Sequence, residues 1–151
     1  ITASPMVPVV VAQFVEFVSR KFGVPSGDVW VFGNKYETAK GIGAHSDDET
    51  GYVGPGMVAT LSLSPGLDRT FRIKPKAKGS RSRFARIDAP LTHGTCLFMM
   101  GRVSPGKKVD SFQENYTHGI PPLGKRALSK LKPGMTVERI SLTARFKAAM
   151  L

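Results

Sequence analysis

Two side chains that commonly bind metal ions, His45 and Asp47, lie two positions apart in the chain. In extended backbone, residues i and i+2 point to the same side, so this pair can hold one ion together. His118 is available as a third ligand. Two imidazoles and one carboxylate are the donor set of non-haem Fe(II) centres, which leaves coordination positions open. The pair alone also fits an exposed acidic turn, and that alternative stays open at this point.

The segment 139–145 combines two arginines with strict alternation of polar and apolar residues. In a strand, Arg139, Ser141, Thr143 and Arg145 would share one face, and the apolar residues between them would share the other. The two arginines start about 20 Å apart at roughly 3.3 Å per residue, and their long side chains can lean toward a small dianion between them. A five-carbon dicarboxylate suits this arrangement. An outward-facing basic strand is the alternative.

One helix and a series of short strands must position these residues. Apolar residues recur three or four apart between residues 8 and 23, which predicts an amphipathic helix ended by Gly23 and Pro25. The pattern then changes to period two, in short runs bounded by turn residues. This predicts a mainly β fold of the jelly-roll kind, a double-stranded β-helix with an N-terminal packing helix. The predicted strands are 29–36, 56–64, 69–76, 84–87, 95–100, 116–120 and 139–146.

Length and charge limit the classes of protein and partner. The 151 residues suit one hydrophobic core, so we expect a single domain over 1–151, and the start at Ile1 suggests a domain excised from a longer chain. Twenty-two Lys and Arg against eleven Asp and Glu leave a net charge of +11. That excess predicts an acidic partner, with nucleic acid, an anionic membrane surface and small anions all open.

Cysteine usage and hydropathy indicate the compartment. Cys96 is the single cysteine, which excludes an internal disulfide framework and predicts a reducing, intracellular location, without separating cytoplasm from nucleus. No apolar run approaches the about 20 residues that a bilayer span needs, and no signal peptide is visible. We therefore expect a soluble monomer without a membrane partner.

Several short motifs occur in an order typical of one enzyme family. From about residue 6 to residue 147 the series resembles the AlkB family of Fe(II)- and 2-oxoglutarate-dependent dioxygenases. Each motif is weak alone, but their joint order and spacing are specific. The motifs are Asn34-x-Tyr36, His45-x-Asp47-Asp48-Glu49, residues 60–64 followed by Arg69-Thr-Phe-Arg72, His93-Gly94, His118-Gly-Ile-Pro121 and Arg139-x-Ser-x-Thr-x-Arg145.

The resemblance implies the ligands of the iron and one anchor of the co-substrate. His45, Asp47 and His118 resemble the Fe(II) ligands of the family. Arg139, aided by the Tyr36 hydroxyl, resembles the residue that pairs with the distal carboxylate of 2-oxoglutarate.

The resemblance also implies the other end of the co-substrate site. Arg145, with the Asn34 amide, resembles the group beside the carboxylate that chelates iron. Ser141 and Thr143, on the same face, complete the predicted site. The family commonly has Asn where this chain has Ser141.

The reaction implied by the resemblance is oxidative demethylation. A substrate C–H bond is oxidised while 2-oxoglutarate is decarboxylated to succinate. The carbon is typically an N-methyl on a nucleobase in DNA or RNA, as in N1-methyladenine or N3-methylcytosine, and it leaves as formaldehyde. Asp48 and Glu49 resemble an acidic pair beside a flipped base, with capping of the following turn as the alternative. Arg69 resembles a residue at the pocket rim.

A basic segment is the predicted nucleic-acid contact. Residues 69–86 include eight basic residues and no acidic ones, which predicts contacts with the phosphates of a nucleic acid. The alternative is that the segment is only a solvated hairpin face. The loop 101–113 is a second basic candidate, or simply disordered. Residues 121–133 are predicted as a loop with a helical turn at 125–131, and little of the family's N-terminal lid fits before Val7.

Other conspicuous side chains have structural interpretations. His93 could replace His118 as a ligand, but the resemblance makes His93-Gly94 a turn that starts a strand. Cys96 reads as core packing. Trp30 and Phe32 lie two positions apart on a predicted strand, and we expect both in the core.

Three other functions compete with nucleic-acid demethylation. The same dioxygenase chemistry could act on a protein or lipid, since relatives with one cofactor chemistry differ in substrate. A jelly roll could also bind nucleic acid without turnover, and a cupin-like metal-storage or sugar-binding protein is a weaker option because it leaves the paired arginines unexplained. Succinate formation with Fe(II) and 2-oxoglutarate separates the enzymes from the non-catalytic binder.

Overall fold

A computed structural model describes residues 6–47, 56–64, 66–76, 85–100 and 112–147 of the chain. Its first element is helix α1, Met6–Phe22, which confirms the predicted N-terminal helix. Phe14 and Val18 on its inner side are buried in the larger of two apolar clusters. The helix ends before Gly23, whose φ of 63° is a left-handed conformation that other residues rarely adopt.

Eight strands follow and form two antiparallel four-stranded sheets. The sheet orders are β1-β8-β3-β6 and β2-β7-β4-β5. The chain therefore passes repeatedly from one sheet to the other, which is the jelly-roll arrangement expected from the sequence. The strands are β1 Trp30–Tyr36, β2 Ile42–His45, β3 Gly56–Leu63, β4 Arg69–Pro75, β5 Ile87–Leu91, β6 Cys96–Met99, β7 Tyr116–Ile120 and β8 Arg139–Lys147.

Short helical turns occupy some connections. A 3-10 turn, Ser26–Asp28, links α1 to β1; α2, Phe112–Asn115, precedes β7; and α3, Lys125–Leu128, lies where a helical turn was predicted. No helix of the described residues is long and apolar enough to span a membrane.

Two strands differ from their sequence-based prediction. The strand predicted at 84–87 lies further along, at Ile87–Leu91. Strand β2 was not among the predicted strands, because it has only four residues and Gly41 and Gly43 weaken the strand signal. Antiparallel pairing with β7 stabilises β2, although the local strand propensity of β2 is low.

Strand β8 confirms the predicted alternation and divides the core from the cavity between the sheets. Leu142, Ala144 and Phe146 join the apolar cluster that also contains residues of α1. Arg139 and Arg145 line the cavity on the opposite face, with Ser141 and Thr143 between them. A basic strand facing outward is therefore excluded.

The assignment of Trp30 and Phe32 to the core is wrong. Their exposed fractions are 64% and 45%. Strand β1 is the edge of its sheet, and these two residues share the inner face with Asn34 and Tyr36, which line the cavity. Helix α1 packs on the opposite side of the sheet, where Val31 contacts its apolar cluster.

Candidate active site

The three predicted metal ligands converge at one place between the sheets. Strands β2 and β7 pair antiparallel with His45 directly opposite His118, and Asp47 follows two residues beyond His45. One ligand atom from each side chain lies within 4.8 Å of the others. Among the described residues this is the one group of three or more candidate ligands, so the interpretation of His-x-Asp as a mere acidic turn is excluded.

The two imidazoles are oriented by different contacts. Nδ1 of His45 lies 2.9 Å from the carbonyl oxygen of Gly43, so Nδ1–H donates there and Nε2 keeps a free lone pair. His118 is buried, and its ring stacks on Phe71 at 5.1 Å with an interplanar angle of 22°. Phe112 closes another side at 5.9 Å. The hydrogen bond to Gly43 thus orients the ring of His45, and the aromatic contacts orient the ring of His118.

Asp47 is held by hydrogen bonds through both its side chain and its backbone. Its Oδ1 accepts a hydrogen bond from Nη2 of Arg145 at 2.9 Å, and Oδ2 lies 3.4 Å from Nε2 of His118. Burial by itself raises the pKa of Asp47, but His118 and the Arg145 guanidinium outweigh it and hold that pKa below its usual value. The carboxylate is therefore anionic at neutral pH, as a metal ligand must be.

One supporting residue was not anticipated from the sequence. Gln113, on α2, is buried, and its Oε1 accepts a hydrogen bond from the backbone N–H of Asp47 at 2.9 Å. Nearby, Ser46 donates to the carbonyl of Tyr116 at 3.1 Å. These two contacts join the segment after β2 to the residues around β7. The sequence carries no local signal for them, because the partners lie about 70 positions apart.

A cavity of about 470 Å³ adjoins the three ligands. Its volume is in the usual range for small-molecule sites. Among the described residues, its wall holds two guanidiniums and one carboxylate, which is an excess of positive charge. The lining residues are Phe32, Asn34, Tyr36, Ile42, His45, Asp47, Thr60, Phe71, His118, Gly119, Ile120, Arg139, Ser141, Thr143 and Arg145.

The surroundings of Arg139 indicate whether a dicarboxylate would fit the cavity. It is 3% exposed, and its Nε donates to the Ser62 hydroxyl at 3.2 Å, with the Tyr36 ring 5.3 Å from its guanidinium carbon. Nη1 is buried and has no hydrogen-bond partner within the described residues. Burial lowers the pKa of Arg139, and no described carboxylate pairs with it. A buried cation with an unused donor is suited to an anionic oxygen.

The remaining predicted co-substrate residues also lie in the cavity wall. Asn34 pairs with Ser141 in the β1–β8 register, and Thr143 lies 3.5 Å from the hydroxyl of Thr60. Arg145, expected beside the chelating carboxylate, contacts the ligand Asp47 as well. The cavity thus runs from Arg145 at the metal end to Arg139 at the other.

The resemblance places Arg69, Asp48 and Glu49 near the substrate. Asp48 and Glu49 lie outside the described residues. Arg69 is 4% exposed, and its Nη2 donates to the carbonyls of Lys40 at 2.8 Å and Pro121 at 3.3 Å. Arg69 is not among the described residues that line the cavity.

The predicted basic segment is less uniform than its sequence. Arg72 and Arg86 both pair with Asp88, which the β4–β5 pairing places opposite Arg72. Residues 77–84, the centre of the segment, and the loop 101–111 lie outside the described residues. His93 is exposed in the turn before β6 and is not part of the ligand group, as expected.

Comparison with known proteins agrees with this site. The sequence profile of the 2OG-Fe(II) oxygenase superfamily matches residues 4–145. Among solved structures the chain is similar to EvdO2 from Micromonospora carbonacea var. aurantiaca, at 11% identity and a TM-score of 0.41. That alignment covers 98% of this chain and 62% of EvdO2, so the chain spans less than two thirds of its length. No curated protein matches the chain significantly.

A jelly roll with two imidazoles and a carboxylate at one end of a basic cavity is the arrangement of a non-haem iron oxygenase. The chain belongs to the 2OG-Fe(II) oxygenase superfamily. Its cofactors are Fe(II), for which His45, Asp47 and His118 supply the ligands, and 2-oxoglutarate, for which Arg139 offers the buried cation.

Proposed function

We propose that this oxygenase removes N-methyl groups oxidatively from nucleobases in DNA or RNA, with release of formaldehyde, as members of the AlkB family do. The supporting observation is the inner face of β1. From the cavity outward, this face carries Tyr36, Asn34, Phe32 and Trp30, with the two outer aromatic rings exposed. Flat apolar rings beside an opening in a chain of net charge +11 suit a base and its phosphates.

Bound Fe(II) and 2-oxoglutarate supply the oxidising power by coupling O₂ reduction to decarboxylation of the keto acid to succinate. The residues of this chain do the positioning. Arg139 holds the distal carboxylate, and Arg145 keeps Asp47 anionic and oriented. Phe71 and Phe112 enclose His118 and exclude water from that ligand.

The substrate must present its methyl group at the open side of the ligand group. Phe32 lines the cavity and Trp30 lies two residues further out, so a base that enters can contact the first ring while its neighbour stacks on the second. In this proposal Asp48 and Glu49, which follow the ligand Asp47, accept hydrogen bonds from a cationic methylated base. The basic segment 69–86 contributes phosphate contacts through residues other than Arg69, which is buried, and Arg72 and Arg86, which pair with Asp88.

The test is mass spectrometry of methylated oligonucleotides. Protein with Fe(II), 2-oxoglutarate and ascorbate is incubated with DNA and RNA strands that carry N1-methyladenine or N3-methylcytosine. We expect the strand to lose the mass of one CH₂, and we expect formaldehyde and succinate to form in amounts equal to the strand demethylated. The variant His118→Ala should give none of these changes. Succinate formation without demethylation of any strand would contradict the proposed nucleic-acid substrate and favour a protein or lipid substrate. Binding of strands without succinate would identify a non-catalytic binder.

A further inference from the structure

We infer that Arg69 is a second cationic anchor for the distal carboxylate of 2-oxoglutarate, acting beside Arg139. The first observation is orientation. Alternation along β4 places Arg69 on the same face as Phe71, which lines the cavity and stacks on His118. Arg69 therefore shares the inner face of its sheet with a cavity-lining residue, although Arg69 is not itself in the described cavity wall, while Arg139 lines the cavity from the other sheet.

The second observation is unsatisfied hydrogen bonding. Nη2 of Arg69 is used by two backbone carbonyls, but Nε and Nη1 are buried without a partner in the described part of the chain. Nη1 of Arg139 is in the same condition. Buried charged donors without acceptors are costly, and a carboxylate offers acceptor sites for several of them.

The third observation is the proximity of two like charges. Burial is the main cause that lowers the pKa of Arg139, and the positive charge of Arg69 adds to it. Burial also lowers the pKa of Arg69, and none of the described carboxylates opposes the effect. Two buried guanidiniums that repel each other form a site that an anion between them stabilises.

Arg69 also connects that anion to the metal ligands. Its two carbonyl partners are Lys40, just before β2, and Pro121, just after β7. These are the strands that carry His45 and His118. The same side chain thus contacts the segments that flank both ligand strands, and its positive charge acts on Arg139, which lines the cavity.

The test compares two ligands of the Mn(II)-loaded chain by titration calorimetry. The ligands are 2-oxoglutarate and 2-oxopentanoate, which has the same carbon chain without the distal carboxylate. In Arg69→Met we expect the preference for 2-oxoglutarate over 2-oxopentanoate to fall about 10-fold or more, as for loss of a charged hydrogen bond. Arg69→Lys should retain most of the preference. Arg72→Met, on the other face of the same strand, should retain all of it.

A purely structural role gives a different result. If folded Arg69→Met keeps the preference, or loses affinity for both ligands equally, the inference is overturned. If Arg69→Met does not fold, Arg139→Met decides, because Arg69 should then leave a residual preference for 2-oxoglutarate, and complete loss would overturn the inference. None of these measurements involves nucleic acid, so their outcome is independent of the proposed substrate.

Discussion

Arg145 donates a hydrogen bond from Nη2 to Oδ1 of Asp47 at 2.9 Å, across 98 positions of sequence. Both side chains are only 13% exposed. The bond joins the last strand of one sheet to the metal ligand that follows β2 of the other. The arginine predicted to act on the co-substrate is therefore also a support for the metal centre.

Replacing Arg145 should weaken metal binding. Arg145→Met removes the partner that orients Asp47 and lowers its pKa, and loss of such outer contacts typically costs about 10–100-fold in metal affinity. Calorimetric titration with Mn(II) measures the change. Arg72→Met removes an arginine that pairs with Asp88 on the outer face and should bind Mn(II) as the parent does. Equal affinities in the two variants would contradict the support role.

Substitution of His118 and of His93 should have different effects on metal binding. His118→Ala should abolish specific uptake of Mn(II) or Co(II), because one of three ligands is lost. His93→Ala should have no effect, because His93 lies exposed in the turn before β6. The Co(II) absorption spectrum is the readout. A lost signal in His93→Ala would mean that the ligand set is wrong.

The contact of β2 with β7 leaves no room for a side chain at Gly119. A Cβ there would lie 2.8 Å from the carbonyl oxygen of Ile42 and 2.9 Å from that of Gly43. Gly119→Ala should therefore lower the free energy of unfolding by about 1–3 kcal/mol and weaken metal binding through His118. Gly43→Ala is the matched control, because its Cβ meets nothing within 4 Å. Urea denaturation of both variants tests the difference.

The exposed tryptophan should affect substrate binding without affecting the fold. Trp30→Ala should lose about 1–3 kcal/mol of binding free energy for single-stranded oligonucleotides, the range for one base stacked on an aromatic ring. Phe17→Ala removes a ring of 46% exposure on α1 and should bind as the parent does. Fluorescence anisotropy at several salt concentrations measures both. Unchanged binding in Trp30→Ala would remove β1 from the substrate surface.

Cys96 should react slowly with alkylating reagents. Burial raises the pKa of its thiol to about 11, from the usual value of 9.0. The thiolate fraction at pH 8 is then lower by about 100-fold, since each pKa unit is a factor of ten. Iodoacetamide labelling followed by mass spectrometry should be slow in the folded protein and fast in urea. Equal rates in the two conditions would place the thiol at the surface.

The sequence predicts the parts of the site that depend on local periodicity. The alternation of β8 follows from residues two apart, and it places Arg139 and Arg145 on the cavity side without any knowledge of the fold. The pairing of His45 with His118 followed from the motif order, since 73 positions of chain separate them and no local rule joins them.

The errors arise where neighbours from distant sequence decide the environment. Trp30 and Phe32 have core composition, but their strand is at the sheet edge, so they are exposed. Arg69 resembles a pocket-rim residue, but it is buried, and two backbone carbonyls from other elements accept hydrogen bonds from it. Arg72 belongs to the segment predicted to contact phosphates, but strand pairing places Asp88, which lies beyond that segment, opposite it.

The direct opposition of His45 and His118 has a consequence for how the chain reaches its final pairing. Because strand side chains alternate, a slip of one residue between β2 and β7 would turn one imidazole away from the other. An ion that needs both rings can bind only the correct alignment. Ferrous iron should therefore favour the correct register during folding, because it stabilises only the β2–β7 pairing in which both imidazoles can bind it.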